Sequence, residues 1–193
     1  MSEYHKLINE INNGKLSPIY LIHGDESFYS DKIIESITKN TIGEDAIDFD
    51  FKKIYGKKSN ENQENEIVDF LKRYPIVGEF NLVIVKDSKN LSDDYSLLLS
   101  YIENYNAKSI LVLSFNNTLD KRKKIYKTCL KNGIVFESKK LYDNQVYQWI
   151  EKESKEKSLN LHPSSIKIIT DFVGNDLSHI DNELEKLKLN SNN

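Results

Sequence analysis

The sequence predicts an α/β protein in which helices cover both faces of a parallel sheet. Most of its apolar runs are continuous rather than alternating, which is typical of strands buried on both faces. Between the runs, Tyr29, Ile33 and Ile37 recur every fourth residue, as in an amphipathic helix. Strands that alternate with helices predict right-handed βαβ units over roughly residues 1–140. The predicted strands span residues 18–23, 46–55, 82–86, 109–115 and 134–138.

The pattern changes after Leu141 and predicts a small three-helix bundle over residues 141–193. Pro163 suits the first position of a helix, Gly174 a helix end and Asp176 an N-cap. Trp149 lies on an apolar helix face, so we predict a core residue rather than a platform for stacked bases. The apolar positions with helical spacing are Val146, Trp149, Ile150, Ile166, Ile169, Val173, Leu177, Ile180, Leu184 and Leu187.

Composition limits the function classes. The chain has 193 residues, 38 % hydrophobic and 30 % charged, with a formal net charge of −3. This balance argues against a dedicated nucleic-acid binder, which is usually strongly basic. The single cysteine, Cys129, lies in a predicted amphipathic helix and is expected to be a buried structural thiol. No apolar run approaches the ~20 residues of a membrane span, and no signal peptide is recognisable, so we predict a cytoplasmic protein.

The turn after the first strand resembles a phosphate-binding loop without its binding groups. Gly24 stands where the first glycine of G-x-x-x-x-G-K-[ST] would be, but the second glycine and the Lys-Ser/Thr pair are missing. Asp25 and Glu26 place carboxylates where phosphate oxygens would lie, at the predicted opening of a helix. We therefore predict a degenerate nucleotide loop, no cofactor and a macromolecular partner.

Four segments give the chain its resemblance to a known family: residues 18–26, 75–86, 119–127 and 172–187. The most specific is Val-Gly-Asn-Asp-Leu at 173–177 followed by Asn-Glu-Leu-Glu-Lys-Leu at 182–187. In these segments the chain resembles the delta subunit of the bacterial DNA polymerase III clamp loader. The resemblance implies an AAA+-like domain at 1–140 and a helical lid domain at 141–193. Family members continue into a collar domain, so the chain resembles an N-terminal fragment, which we expect to be monomeric.

Other parts of an AAA+ ATPase are missing as well. The third strand runs into Lys86-Asp87-Ser88 instead of the adjacent acidic residues that would hold Mg²⁺. The fifth strand is followed by Ser138-Lys139-Lys140, with no arginine finger. The histidines show no metal-ligand spacing, so no metal is expected. We predict a non-catalytic subunit, in a family associated with DNA-directed DNA polymerase through its holoenzyme.

The segment before the third strand carries the predicted partner site. It follows an amphipathic helical pattern at 67–71. The resemblance implies an exposed hydrophobic wedge here that inserts into the sliding clamp. The alternative is that its apolar residues cap the core before the strand. Where Val77 stands the family usually has an aromatic residue. The clamp-binding residues implied are Tyr74, Pro75, Ile76, Val77 and Gly78.

A basic run at Lys121, Arg122, Lys123 and Lys124 is predicted to open a helix after the fourth strand. It is either a solvated helix face or a contact to DNA phosphates or a partner, since such contacts need no base specificity.

The leading hypothesis is a replication protein that binds and opens the sliding clamp (beta subunit) without hydrolysing ATP. Its further partners would be the other clamp-loader subunits and, through the assembled complex, primer–template DNA. Two alternatives remain open at this point. One is a small nucleotide-dependent enzyme with a divergent phosphate loop, and the other is a DNA-binding module built on the helical bundle.

Overall fold

A parallel sheet forms the centre of the first of two compact units, Met1–Lys139 and Lys140–Asn193. The computed structural model describes residues 3–58 and 62–191. The sheet order is β2-β3-β4-β1-β5, and every pairing is parallel, as predicted. The strands are β1 (Ile19–Gly24), β2 (Phe51–Tyr55), β3 (Asn81–Lys86), β4 (Ser109–Ser114) and β5 (Ile134–Ser138).

Helices flank this sheet. Between residues 3 and 191, leaving out 59–61, no helix is long and apolar enough to cross a membrane. Two short 3-10 turns, Glu44–Ala46 and Ser88–Asn90, complete the first unit. Its helices are α1 (Glu3–Asn12), α2 (Ser27–Thr41), α3 (Ile47–Asp50), α4 (Gln63–Lys72), α5 (Ser96–Glu103) and α6 (Lys124–Asn132).

The core has two layers because the central strands are buried on both faces. Along β1, Leu21 points into one layer, whereas Tyr20 and Ile22 point into the other. This alternation follows from the two-residue period of a strand. The first layer packs against residues of α4, α5 and α6, and the second against α1 and α2. Members of the first include Leu71, Leu98, Ile102 and Cys129, and members of the second include Leu7, Ile11, Ile33 and Ile37.

The prediction of one strand over 46–55 is wrong in its first half. Ala46 closes a 3-10 turn and residues 47–50 form α3, so the strand begins only at Phe51. The alternating apolar pattern of this stretch is typical of a strand. Long-range hydrogen bonds fix the turn instead, because the Asp50 carboxylate and the Phe49 carbonyl both accept from residues between 73 and 78.

Three predicted boundaries also need correction. The helix after β1 begins at Ser27, with Glu26 as its N-cap, rather than at Asp25. The basic run does not open a helix with all four residues, since α6 begins at Lys124. The polar composition of residues 56–65 predicts a loop, but Gln63 already begins α4, where its side chain bonds the backbone of Tyr55 and Lys57. Residues 59–61 lie outside the described part.

The second unit is the three-helix bundle that the sequence predicts: α7 (Asp143–Glu156), α8 (Pro163–Val173) and α9 (Leu177–Ser191). Pro163 begins α8, Gly174 follows its end with φ +72°, and the Asp176 carboxylate accepts the His179 amide at 2.9 Å. Trp149 is buried, as predicted. The remaining buried apolar residues of this unit are Val146, Ile150, Leu159, Ile166, Leu177, Ile180 and Leu184.

Candidate functional site

Residues 73–78 lie in the connection between α4 and β3, display large apolar side chains and are called the wedge segment below. Tyr74, Ile76 and Val77 are 78 %, 62 % and 50 % exposed. Side chains this exposed do not cap the core, which was the alternative interpretation of Ile76 and Val77. The other predicted members of the site are half-buried: Pro75 and Gly78.

One carboxylate holds the second half of the wedge segment. Asp50 Oδ1 accepts the amide of Ile76 at 2.6 Å, and Oδ2 accepts the amides of Val77 and Gly78 at 2.7 and 2.6 Å. Burial by itself raises the pKa of Asp50. The three amide hydrogen bonds and the charge of Arg73 outweigh it and leave the pKa below its ordinary value. Asp50 is therefore ionised at neutral pH.

Amide and hydroxyl side chains hold the start of the wedge segment. The Arg73 carbonyl accepts from Asn81 Nδ2 at 2.7 Å and from Asn106 Nδ2 at 3.2 Å. The Ser109 hydroxyl donates to the carbonyl of Leu71 at 2.7 Å. These carbonyls lie at the end of α4, where the helix leaves acceptors without partners of its own. The wedge segment is thus fixed near both of its ends.

The side chain of Arg73 ties the wedge segment to α3. Its guanidinium donates to the Phe49 carbonyl and lies 3.8 Å from the centroid of the Phe70 ring. Two side chains of α3 are themselves exposed, Ile47 at 48 % and Phe49 at 50 %. Sequence reasoning assigned these two residues to a strand and missed them as surface residues. No local signal marks them, because Asp48 and Asp50 continue the alternating pattern that is typical of a half-buried strand.

The turn after β1, residues 24–28, is called the β1 turn below, and its amides bind protein oxygens. The Gly24 amide donates to the Asn117 carbonyl at 3.2 Å. The amides of Asp25 and Glu26 both donate to the Ser138 carbonyl, at 3.0 and 3.4 Å. The amide of Phe28 donates to the Glu26 carboxylate at 3.1 Å. A phosphate-binding loop needs such amides free to point at its ligand.

The presence of glycine at position 24 is explained by packing within the protein, without a ligand. The φ of Gly24 is +125°, and a Cβ at this position would lie 1.9 Å from the Ser138 carbonyl oxygen. The glycine therefore permits close packing between the β1 turn and the end of β5. The Ser138 hydroxyl adds a hydrogen bond to the Glu26 carbonyl. Sequence reasoning missed Ser138, because only the sheet order brings β5 beside β1.

A cavity of about 310 Å³ lies at this carboxyl edge of the sheet. Its lining includes Asp25, Asp31, Asp87, Lys53 and Lys86. Lys86 is paired with Asp31 at 2.5 Å, so its charge is neutralised within the cavity wall. Three carboxylates against two ammonium groups give the lining a net negative charge, which opposes binding of a polyphosphate.

Half of the basic run is neutralised locally. Lys121 pairs with Glu137 at 2.9 Å, and Arg122 pairs with Asp120 at 2.7 Å. Hydrogen bonds from Arg122 lower the pKa of Asp120 to about 2. Lys123 makes no ion pair with any residue in 3–58 or 62–191, and neither does Lys124.

Two buried residues, His23 and Cys129, have structural roles, as was predicted for Cys129. His23 is fully buried, and its Nδ1 accepts the Leu119 amide at 3.2 Å. Cys129 is fully buried in the first core layer, and burial raises the pKa of its thiol to about 12. A thiol with that pKa is protonated at neutral pH and is a poor nucleophile.

The first unit matches a known protein family. The sequence profile of the family described as DNA polymerase III, delta subunit, matches residues 20–139, more than half of the 193 residues. No curated protein sequence matches the chain significantly.

Solved structures give a consistent fold. The chain is similar to the Bacillus subtilis DNA clamp loader delta protein YqeN, with a TM-score of 0.82 and 21 % identity over 96 % of this chain and 57 % of that chain. It thus spans little more than half the length of that relative. It is also similar to AMPPCP-bound DnaA from Aquifex aeolicus, with a TM-score of 0.53 and 17 % identity over 98 % of this chain and 63 % of that chain. A gamma subunit-related protein of DNA polymerase III from Thermotoga maritima gives a TM-score of 0.51 and 16 % identity over 78 % of this chain and 50 % of that chain. These likenesses confirm the predicted AAA+-like fold.

Proposed function

Because the chain belongs to the DNA polymerase III delta subunit family, we propose that it is a clamp-loader component that binds and opens the sliding clamp during DNA replication. In this proposal Tyr74, Ile76 and Val77 enter an apolar pocket of the clamp, with Pro75 and Gly78 shaping the backbone between and after them. The chain hydrolyses no ATP itself, and opening the clamp uses only the free energy of binding.

The observation that carries the proposal is the combination of exposed apolar side chains with a fixed backbone. Three large side chains face solvent on a segment whose backbone is hydrogen-bonded to Asp50, Asn81 and Asn106. Exposing such side chains has a cost in water that a folding role does not explain. Aromatic and aliphatic anchors on a rigid backbone are typical of the energetic centre of an interface.

The β1 turn supports the absence of nucleotide chemistry. Its amides at 24, 25, 26 and 28 are bound to protein oxygens, and the adjacent cavity has a net negative lining. A nucleotide would have to displace these internal bonds and overcome the net negative charge of the cavity lining. The alternative function, a nucleotide-dependent enzyme, would require both the loss of these internal bonds and binding against this charge.

Further parts of the proposal follow from the family. The unit Met1–Lys139 corresponds to the AAA+-like domain and Lys140–Asn193 to the lid domain. The other clamp-loader subunits are partners of the whole protein. Within the assembled complex, Lys123 and Lys124 are the members of the basic run best suited to DNA phosphates. They form no ion pair within the described part of the chain, whereas Lys121 and Arg122 already face carboxylates.

The wedge is tested by replacing Ile76 and Val77 together with serine and measuring affinity for the cognate sliding clamp. Hot-spot truncations cost roughly 2–4 kcal/mol, so we expect about 30- to 1000-fold weaker binding. The melting temperature should change little, since both side chains are exposed.

A matched control removes two apolar side chains from another surface. Ile168 and Phe172 of α8 are 58 % and 87 % exposed, and serine at both positions should leave clamp affinity unchanged. Equal loss in both double variants would show nonspecific hydrophobic binding and contradict the wedge. A wild-type chain that does not co-elute with the clamp contradicts the proposed function as a whole.

Nucleotide binding is tested by calorimetry with Mg-ATP and by thermal melting at millimolar ATP. We expect no saturable heat and no rise in melting temperature, because a ligand that binds only the folded state must stabilise it. Binding tighter than about 100 µM, the weak end of useful affinities, would instead support the nucleotide-dependent enzyme.

A further inference from the structure

Asp50 lies where two strands start side by side. It ends α3 and directly precedes β2, whose first residue, Phe51, is in register with Leu82 of β3. The wedge segment ends two residues before β3, which begins at Asn81. Parallel pairing therefore places the Asp50 carboxylate beside residues that follow it by 26 to 28 positions.

The environment of Asp50 indicates that its carboxylate binds the backbone of the wedge segment. The residue is fully buried, and its carboxylate accepts hydrogen bonds from the wedge amides of Ile76, Val77 and Gly78. A buried carboxylate needs such donors, and hydrogen bonds to a charged acceptor are stronger than neutral ones. Removing the charge weakens all three bonds at once.

The wedge side chains contribute little to their own order. Tyr74, Ile76 and Val77 are mostly exposed, so packing does not fix the backbone that carries them. Polar contacts do, and at residues 76–78 those contacts are with Asp50. A binding segment that is ordered only part of the time binds more weakly in proportion to the populated fraction.

We propose that Asp50 is a positioning residue for clamp binding: its buried carboxylate holds residues 76–78 in the conformation that the clamp receives. This inference rests on the proposed function. Asp50 itself does not touch the clamp. It acts by keeping the wedge segment ordered before the partner arrives, so that binding does not have to order it.

The test compares Asp50→Asn with Glu64→Gln. Glu64 is a matched control, because it is also buried and its Oε2 accepts two backbone amides, those of Leu97 and Leu98 at 3.0 and 3.1 Å, outside the wedge segment. Clamp affinity, melting temperature and amide hydrogen exchange are measured for both variants in the 193-residue chain.

For Asp50→Asn we expect about tenfold or greater loss of clamp affinity and faster exchange of the amides of Ile76, Val77 and Gly78. For Glu64→Gln we expect a comparable fall in melting temperature, faster exchange at Leu97 and Leu98, and unchanged clamp affinity. Asp50→Glu, which keeps the charge, should recover part of the affinity and serves as the main variant if Asp50→Asn does not fold. If Asp50 only stabilised the fold, Asp50→Asn and Glu64→Gln would lower clamp affinity equally.

Two outcomes overturn the inference. One is wild-type clamp affinity in Asp50→Asn, and the other is unchanged exchange at residues 76–78. If the wild-type chain binds no clamp, the proposed function fails. The exchange comparison then still decides whether Asp50 orders the wedge segment.

Discussion

The wedge segment and the β1 turn both bind their backbone amides to protein oxygen atoms, but they carry different side chains. Both are connections at the sheet, and because all strands are parallel, the wedge segment lies at the amino edge and the β1 turn at the carboxyl edge. In each, consecutive amides converge on a single residue's oxygen atoms. In the wedge segment the acceptor is the Asp50 carboxylate, and in the β1 turn it is mainly the Ser138 carbonyl.

The difference lies in the side chains that the fixed backbone carries. In the β1 turn, Glu26 and Phe28 are buried, and the cavity beside them is acidic. In the wedge segment, Tyr74, Ile76 and Val77 face solvent. In the β1 turn the internally bonded amides do not point at a ligand, whereas in the wedge segment the internally bonded amides hold a backbone that presents apolar side chains. The geometry of a loop does not by itself specify a ligand, because the hydrogen-bonding groups that remain free determine which ligand can bind.

Alanine at one glycine of each loop gives the largest contrast between them. In Gly24→Ala the new Cβ would meet the Ser138 carbonyl oxygen at 1.9 Å, on a backbone with φ +125°. Backbone overlap and unfavourable φ together should cost more than about 3 kcal/mol of unfolding free energy. In Gly78→Ala the nearest atoms are Ala46 Cβ at 3.3 Å and Asp50 Oδ2 at 3.5 Å. The unfolding free energy should change there by less than about 1 kcal/mol.

Gly43 provides the control for the intrinsic effect of alanine, since its Cβ would meet nothing within 4 Å. Chemical denaturation of the three variants measures the differences. If Gly24→Ala is as stable as Gly43→Ala, the β1 turn is not packed against β5. The amides of the β1 turn would then be free to bind an anionic ligand, and nucleotide binding at this loop would become plausible again.

Much of the sheet could be predicted from local pattern. The edge strand at 134–138 is predicted with its observed bounds, and the central strands β1, β3 and β4 are predicted within a residue at each end. The central runs are apolar because these three strands are buried on both faces, and burial is visible in composition. The bundle helices are likewise marked by Pro163, Gly174 and Asp176, whose effects act over a few residues.

What the sequence did not predict depends on distant partners. Residues 46–50 read as strand because nothing local shows that Asp50 bonds residues 76–78. The exposure of the wedge followed from the family resemblance rather than from pattern, since apolar residues before a strand are usually core. Ser138 became visible only with the sheet order β4-β1-β5. Such residues act through tertiary contacts, which hydrophobic periodicity does not encode.

Acid should separate the two loops, because one acceptor titrates and the other does not. Burial raises the pKa of Asp50, but the amides of Gly78, Ile76 and Val77 and the charge of Arg73 lower it to below the ordinary 3.8. With the pKa lower in the folded state, the carboxylate stabilises the wedge segment above pH 3.8, and this stabilisation is lost as pH falls through the folded pKa.

We therefore expect exchange protection at residues 76–78, corrected for the intrinsic pH dependence of exchange, to be constant from pH 7 to about 4 and to fall below it. One proton is taken up, so the fall cannot exceed about tenfold per pH unit. The amides of Asp25 and Glu26, bonded to the Ser138 carbonyl, should stay protected in the same samples and report whether the domain remains folded. Loss of protection in both loops together would mean global acid unfolding. Loss in the β1 turn alone would reverse the comparison, because the carbonyl acceptor would then be the weaker one.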